Sequence, residues 1–136
     1  MKRIEINDVK SILELKQIFI KRFSFERNNQ IKKEIEAKEI IYKFGKNIEK
    51  KCDNEFEVVL SIDATLEATF KLELSVAGIF SVDDIIKNEI LIYKNSLSIL
   101  FPYLRSEITL LTSQPGMMPI VLPPININLF FDLTQD

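Results

Sequence analysis

Between Glu55 and Val76 the chain alternates apolar and polar residues almost without interruption. Phe56, Val58, Leu60, Ile62, Ala64 and Leu66 share one parity, opposite Glu55, Glu57, Ser61, Asp63 and Thr65. After a tight turn near residues 66–69 the pattern resumes, with Phe70, Leu72, Leu74 and Val76 opposite Lys71, Glu73 and Ser75. Successive side chains of a strand point to opposite faces. This spacing therefore predicts an antiparallel hairpin, half buried on one continuous apolar face. No other part of the sequence restricts the fold as strongly.

Residues 97–131 restrict it in a second way. Nineteen of these 35 residues are apolar or aromatic, only Arg105 and Glu107 are charged, and all five prolines of the protein lie among them. A stretch this apolar is either buried or a sticky surface, and its prolines keep it from forming one regular element. Ile90, Leu97, Leu100, Phe101, Leu104, Ile108 and Leu111 recur at helical spacing, which predicts a long helix over about 90–113. Pro102 falls inside that helix and is expected to kink it or to mark its proper start, and Pro115-Gly116 stops it. Residues 117–126 are expected to be irregular and extended, because Pro119 and Pro123-Pro124 favour polyproline or β geometry. Asn126 or Asn128 would cap a short final helix carrying Leu129, Phe130 and Leu133.

The remaining segments are less sharply patterned. Asn7-Asp8 suits the cap of a short helix through about Leu15. From Ile18 the period changes to that of a strand, with Phe19, Lys21, Phe23 and Phe25 on one face and Ile18, Ile20, Arg22 and Ser24 on the other, until Asn28-Asn29 breaks it. A second strand is read over 33–44 with an imperfect phase that leaves room for a bulge or a helical stretch, and 45–54 reads as a polar connection. Gly78 suggests a bulge or a close backbone approach where the sheet ends. Ser81-Val82-Asp83-Asp84 resembles a capping box that opens a helix of one or two turns.

At 136 residues, with 46% hydrophobic and 28% charged residues, the chain reads as one folded domain over 1–136. A formal charge of −2 gives no general attraction to nucleic acid or anionic lipid. The charge is uneven: residues 21–51 hold ten basic and five acidic residues, net +5, and residues 52–92 hold nine acidic and two basic, net −7. Either the two regions are solvated faces of neighbouring strands that attract each other, or the second is an acidic docking surface. The single Cys52 excludes an internal disulfide and fits a reducing compartment. The N-terminal residues lack the apolar run of a secretory signal, and no run of 18 apolar residues exists to insert in a membrane. A cytoplasmic location is expected.

Catalytic chemistry finds little material. No histidine is present, so there is no imidazole base and no histidine metal ligand, and one cysteine cannot build a zinc site. Gly45, Gly78 and Gly116 stand too far apart for a phosphate-cradling loop. The carboxylate pairs Glu34/Glu36, Glu55/Glu57 and Asp83/Asp84 read as solvated charges. Lys21, Arg22, Phe23, Phe25 and Arg27 mix base and ring as single-strand nucleic-acid binders do, but the acidic second half argues against that partner. No catalytic residue, metal or cofactor is expected. A binding protein is the better class.

Three segments then resemble a known family: Glu55-Phe56-Glu57-Val58-Val59-Leu60, Ala77-Gly78-Ile79-Phe80-Ser81 and Ile99-Leu100-Phe101-Pro102-Tyr103-Leu104-Arg105. They are similar to the glutamate-Val-Val-Leu strand, the Gly-Ile-Phe strand end and the Leu-Phe-Pro-Tyr-x-Arg helix of the SecB export chaperones. Ser24-Phe25-Glu26 and Leu122-Pro123-Pro124-Ile125-Asn126 also resemble family segments, in the same order along the chain. The resemblance implies an α+β subunit, a four-stranded antiparallel sheet with a long helix and a short C-terminal helix on one side, assembled as a homotetramer, a dimer of dimers. It implies an ATP-independent holdase that binds unfolded polypeptides in hydrophobic grooves, for preprotein export or to protect an aggregation-prone antitoxin. The client-binding positions it points to are Phe23, Phe25, Met117, Met118, Ile120, Leu122, Ile125 and Phe130, and adaptable methionines and aromatics on irregular backbone suit promiscuous apolar recognition. Glu26 and Glu73 match positions that dock the basic tail of the SecA motor. Arg22 and Lys71 stand where an acidic and an apolar residue are expected and would repel such a tail. The short final helix also lacks the acidic extension of export members, which moves the expectation toward a SecB-like chaperone outside general export, as are relatives that guard an antitoxin. The competing reading is a structural or assembly protein that uses the same apolar surfaces to form a fixed oligomer.

Overall fold

The alternating hairpin forms the centre of a sheet. The computed structural model of the protein describes residues 13–28, 40–67, 69–83 and 89–133. Among these residues four strands, β1 (Leu13–Arg27), β2 (Ile41–Cys52), β3 (Glu55–Leu66) and β4 (Phe70–Val82), precede two helices, α1 (Glu89–Thr112) and α2 (Ile127–Leu133). The strands lie in the order β1-β4-β3-β2, with every neighbouring pair antiparallel. The β3–β4 turn falls where the pattern placed it: the Thr69 amide donates to the Leu66 carbonyl at 3.0 Å.

Phe56, Val58, Leu60, Ile62, Leu72, Leu74, Val76 and Phe80 all lie on the face that the helices cover. From α1, Ile92, Leu97, Leu100, Leu104 and Ile108 pack onto them, repeating every three to five positions as an amphipathic helix requires. Each such side chain contributes roughly 1.5–3 kcal/mol by leaving water, so this shared layer is the main source of stability. Gly78 is where helix and sheet come closest. A Cβ built there would lie 2.8 Å from Phe80 Cε2 and 2.9 Å from Leu100 Cδ2, so close approach accounts for the glycine.

Several sequence expectations need correction. Residues 13–15, expected to end a helix, are the first residues of β1, while residues 7–12 of that helix lie outside the described residues. β1 pairs with β4 along its full length, and its register slips between Leu15 and Gln17 and between Ile20 and Arg22. The second slip is a bulge that changes the parity of the strand. Ile18, Ile20, Phe23 and Phe25 therefore oppose Gly78, Val76, Leu74 and Leu72 on the helix side, whereas Phe19 opposes Ala77 on the outer face. The predicted grouping of Phe19 with Phe23 and Phe25 does not form.

The second strand runs over Ile41–Cys52 rather than 33–44, and residues 33–39 lie outside the described residues. The stretch read as a polar connection is mostly strand, closed by the Asp53-Asn54 turn. Its polarity comes from its place at the sheet edge, where lysines discourage further strand pairing. Ser81 lies in β4, paired with Glu14 and Glu55, instead of capping a helix, and residues 84–88 lie outside the described residues. The long helix matches its expected span and continues through Pro102, which is exposed. Proline lacks an amide, so the Ser98 carbonyl loses its helical partner, a loss that water offsets on this exposed side. Of the two candidate caps Asn126 is the one used: its Oδ1 accepts the Leu129 amide at 3.0 Å.

Candidate functional site

After α1 the chain turns back across the helix-covered face at the end of the sheet near the β3–β4 turn. The reversal is made at Pro115-Gly116, where Gly116 has φ +78°. Only glycine adopts that region without strain. Pro119, Pro123 and Pro124 have no amide to donate, so residues 117–126 cannot join a sheet and must find other anchors.

Those anchors stand on one side of α1. The Thr112 hydroxyl accepts the Ile120 amide at 2.8 Å and donates to the Ile108 carbonyl at 2.6 Å. Thr109 donates to the Ile120 carbonyl at 2.7 Å, and Arg105 Nε donates to the Leu122 carbonyl at 3.1 Å. Positions 105, 109 and 112 are one turn apart and face the same way. The anchoring role of these three residues went unnoticed in the sequence. The available signal was polar residues at helical spacing just ahead of a proline-rich segment that lacks its own backbone partners.

Held in this way, Met117, Met118 and Ile120 close over the sheet. With Phe25, Phe70, Thr69 and Thr112 they line an apolar cavity of about 30 Å³. Phe25 stacks on Phe70 with ring centroids 5.7 Å apart. Arg27 completes the wall: Nη2 donates to the Gly116 carbonyl at 2.5 Å, and the guanidinium lies 6.0 Å from the centre of the Phe25 ring. On the other side of Met118 a second cavity of about 50 Å³ is bounded by Ile40, Tyr42, Phe70, Pro119, Ile120 and Val121. Burial there pushes the Tyr42 hydroxyl above its ordinary pKa.

The eight expected client-binding residues therefore separate into groups. Phe25, Met117, Met118 and Ile120 meet around the first cavity. Met118 is 49% exposed, whereas Ile120 at 4% and Leu122 at 1% point inward and support the surface from below. Phe23 is exposed on β1 outside the cavity wall. Ile125 is half-buried, and Phe130 packs edge-on against Phe44 of β2 at 6.0 Å.

The opposite face of the sheet carries Glu26 and Glu73, the two expected docking acids. Glu73 is bound by Arg22 at 3.0 Å, with Lys71 at 3.8 Å. Glu57, buried beneath this face, is held by Lys21 at 3.1 Å and Lys51 at 3.3 Å. Burial works to raise the Glu57 carboxyl, but the hydrogen bonds and charges of the two lysines outweigh it and hold the pKa below the usual value. Basic β1 and β2 side chains thus neutralise acidic side chains on β3 and β4. The surface carries both signs of charge, with Glu73 and Glu57 paired. Among the described residues no group of acids or cysteine has the arrangement of a metal site. No described helix is long and apolar enough to cross a membrane.

Comparison with known proteins gives a consistent picture. Residues 7–136 match the family model described as preprotein translocase subunit SecB. A protein-export protein SecB of Xylella fastidiosa (strain Temecula1 / ATCC 700964) is 30% identical over 125 residues, covering 86% of this chain and 73% of the relative. One from Xanthomonas campestris pv. campestris (strain 8004) is 27% identical over 125 residues, covering 86% and 74%. Among solved structures, the Mycobacterium tuberculosis Rv1957 SecB-like chaperone in complex with a ChAD peptide from the Rv1956 HigA1 antitoxin has the same fold. Its TM-score is 0.66 at 17% identity, over 84% of this chain and 88% of that one.

Proposed function

Because the chain belongs to the SecB family, whose members are chaperones and not enzymes, we propose that it is a holdase that keeps unfolded polypeptides from aggregating without ATP. The observation that carries this reading is the proline-held segment 115–121 lying over the apolar cavity, with Met117 and Met118 flexible enough to repack around different side chains. Phe25, Phe70, Met117 and Met118 form the client surface, and Ile120 and Leu122 serve as its buried support. Phe23, Ile125 and Phe130 extend the apolar path on either side.

The client is an aggregation-prone polypeptide such as an antitoxin segment, the class of partner bound by the mycobacterial relative. Handover to a SecA-type motor is disfavoured, because Glu73 already pairs with Arg22 and Lys71, leaving little for a basic tail to bind. The working form is a cytoplasmic homotetramer that needs no cofactor. Ile90, Leu91, Tyr103, Leu110 and Val121 are 45–71% exposed in the subunit and supply apolar area for assembly.

Light scattering of a chemically unfolded model client, diluted into the purified protein without nucleotide, tests the main reading. Suppressed aggregation at equimolar chaperone is expected, and unchanged aggregation rules the proposal out. Titration with SecA separates the two roles: micromolar or tighter binding contradicts the antitoxin assignment.

A further inference from the structure

The first cavity is too small for the work proposed for it. An apolar cavity of about 150 Å³ takes a benzene ring, and this one has about 30 Å³. A leucine or phenylalanine side chain enters only if part of the wall moves. Part of that wall is the Pro115-Gly116 turn, an exposed reversal tied to the sheet by Arg27 donating to the Gly116 carbonyl. A Cβ added at Gly116 would meet Arg27 Nη1 at 3.3 Å, so turn and guanidinium sit directly against each other.

Among the described residues Arg27 is also a cation without a carboxylate partner. Its partners are a neutral carbonyl and the face of Phe25, and it has no ion pair among the described residues. Arg22, Lys21 and Lys51 each have a carboxylate. A guanidinium binds a carboxylate through two parallel charge-assisted bonds, which are stronger than one bond to a carbonyl. A carboxylate arriving at the cavity mouth therefore competes Arg27 away from Gly116, and the same movement frees the turn and widens the cavity.

Building on the client surface proposed above, we infer that Arg27 is a latch and a specificity determinant: the site selects client segments in which an apolar side chain stands beside an acidic residue. The carboxylate releases the latch and the apolar side chain fills the space that opens. A basic residue in the same place leaves the latch closed and is repelled by it.

Two measurements on the full chain test this. The first needs no client. The Met117 amide donates to the Gln114 carbonyl within the turn, and its hydrogen exchange is expected to quicken several-fold in Arg27→Gln, with Arg27→Lys intermediate. Equal exchange in the wild type and Arg27→Gln overturns the latch. The second uses three fluorescent peptides with a common Phe-Leu anchor flanked by Glu, Gln or Lys. The wild type is expected to favour the Glu peptide over the Gln peptide by about fivefold, the scale of one partly exposed ion pair, and to bind the Lys peptide most weakly. In Arg27→Gln the three affinities converge, and the Gln peptide binds at least as tightly as to the wild type. A wild type that binds all three peptides equally, or a preference that survives Arg27→Gln, overturns the inference while leaving the holdase reading intact. Failure of the wild type to bind any of them contradicts both.

Discussion

Gly78 and Glu57 show how much individual residues settle here. A methyl group at Gly78 would have to displace Phe80 or Leu100, both fully buried. Gly78→Ala is expected to destabilise the protein by about 1–3 kcal/mol, measured as a lower urea midpoint with an unchanged slope. Leu100→Ala alone is expected to cost about 2–5 kcal/mol. In the double variant the added methyl enters the space that Leu100 vacates, so the combined loss is expected to fall short of the sum of the two. Glu57 sets a pH dependence of known sign. Its folded-state pKa lies below the ordinary 4.5, so its contribution is complete above that value and is lost as pH falls through the lower folded-state value. The stability difference between the wild type and Glu57→Gln is therefore expected to be largest at neutral pH and to vanish in acid. The sequence foretold a close approach at Gly78. The role of Glu57 was hidden, because its lysines come from strands far apart in the chain and only the sheet order brings them together.

At the scale of elements, the proline-rich segment is ordered by α1 and not by its own backbone. Thr112→Val keeps the shape of the side chain but leaves the buried Ile120 amide without an acceptor. A loss of about 1–3 kcal/mol is expected, together with faster hydrogen exchange at Ile120 than at core amides of β3. Elements whose burial is one-sided were the legible ones. β3, β4 and α1 each write a single period, and α1 lay within a residue of its expected ends. β2 was misplaced because Lys43, Lys46, Asn47, Glu49, Lys50 and Lys51 make an edge strand look like a loop, and because Lys46 packs its ammonium 4.8 Å over the buried Phe131 ring. β1 was found, but one parity was carried across the bulge at Ile20–Arg22, which wrongly grouped Phe19 with Phe23 and Phe25, since an extra residue in a strand leaves no mark on composition. The candidate site was legible as a group of apolar residues. Its holding residues, Arg27, Arg105, Thr109 and Thr112, were not, because they act on backbone carbonyls and amides that a sequence does not display.

The whole subunit leaves one side of α1 and its neighbouring segment apolar and open, with Leu110 63% and Val121 71% exposed. If these residues join subunits in the proposed tetramer, Leu110→Asp with Val121→Asp is expected to lower the solution mass toward two subunits or one, while far-ultraviolet circular dichroism stays unchanged. Multi-angle light scattering reads the mass directly. Assembly was inferred from resemblance alone, since a single chain records exposure but not what covers it. The strand order carries a further consequence, one of time. Of the four strands β1 is made first, yet it lies at the edge of the sheet and, among the described residues, pairs only with β4, with Leu13 opposite Val82. At ordinary rates of translation the ribosome completes that partner roughly 3–11 s after finishing β1. During this interval a newly made β1, with Leu15, Ile18, Phe19, Ile20, Phe23 and Phe25 unpaired, is itself the kind of chain that a holdase protects. Lys16, Lys21, Arg22 and Arg27, spaced among those apolar residues, keep it apart from its neighbours until β4 arrives.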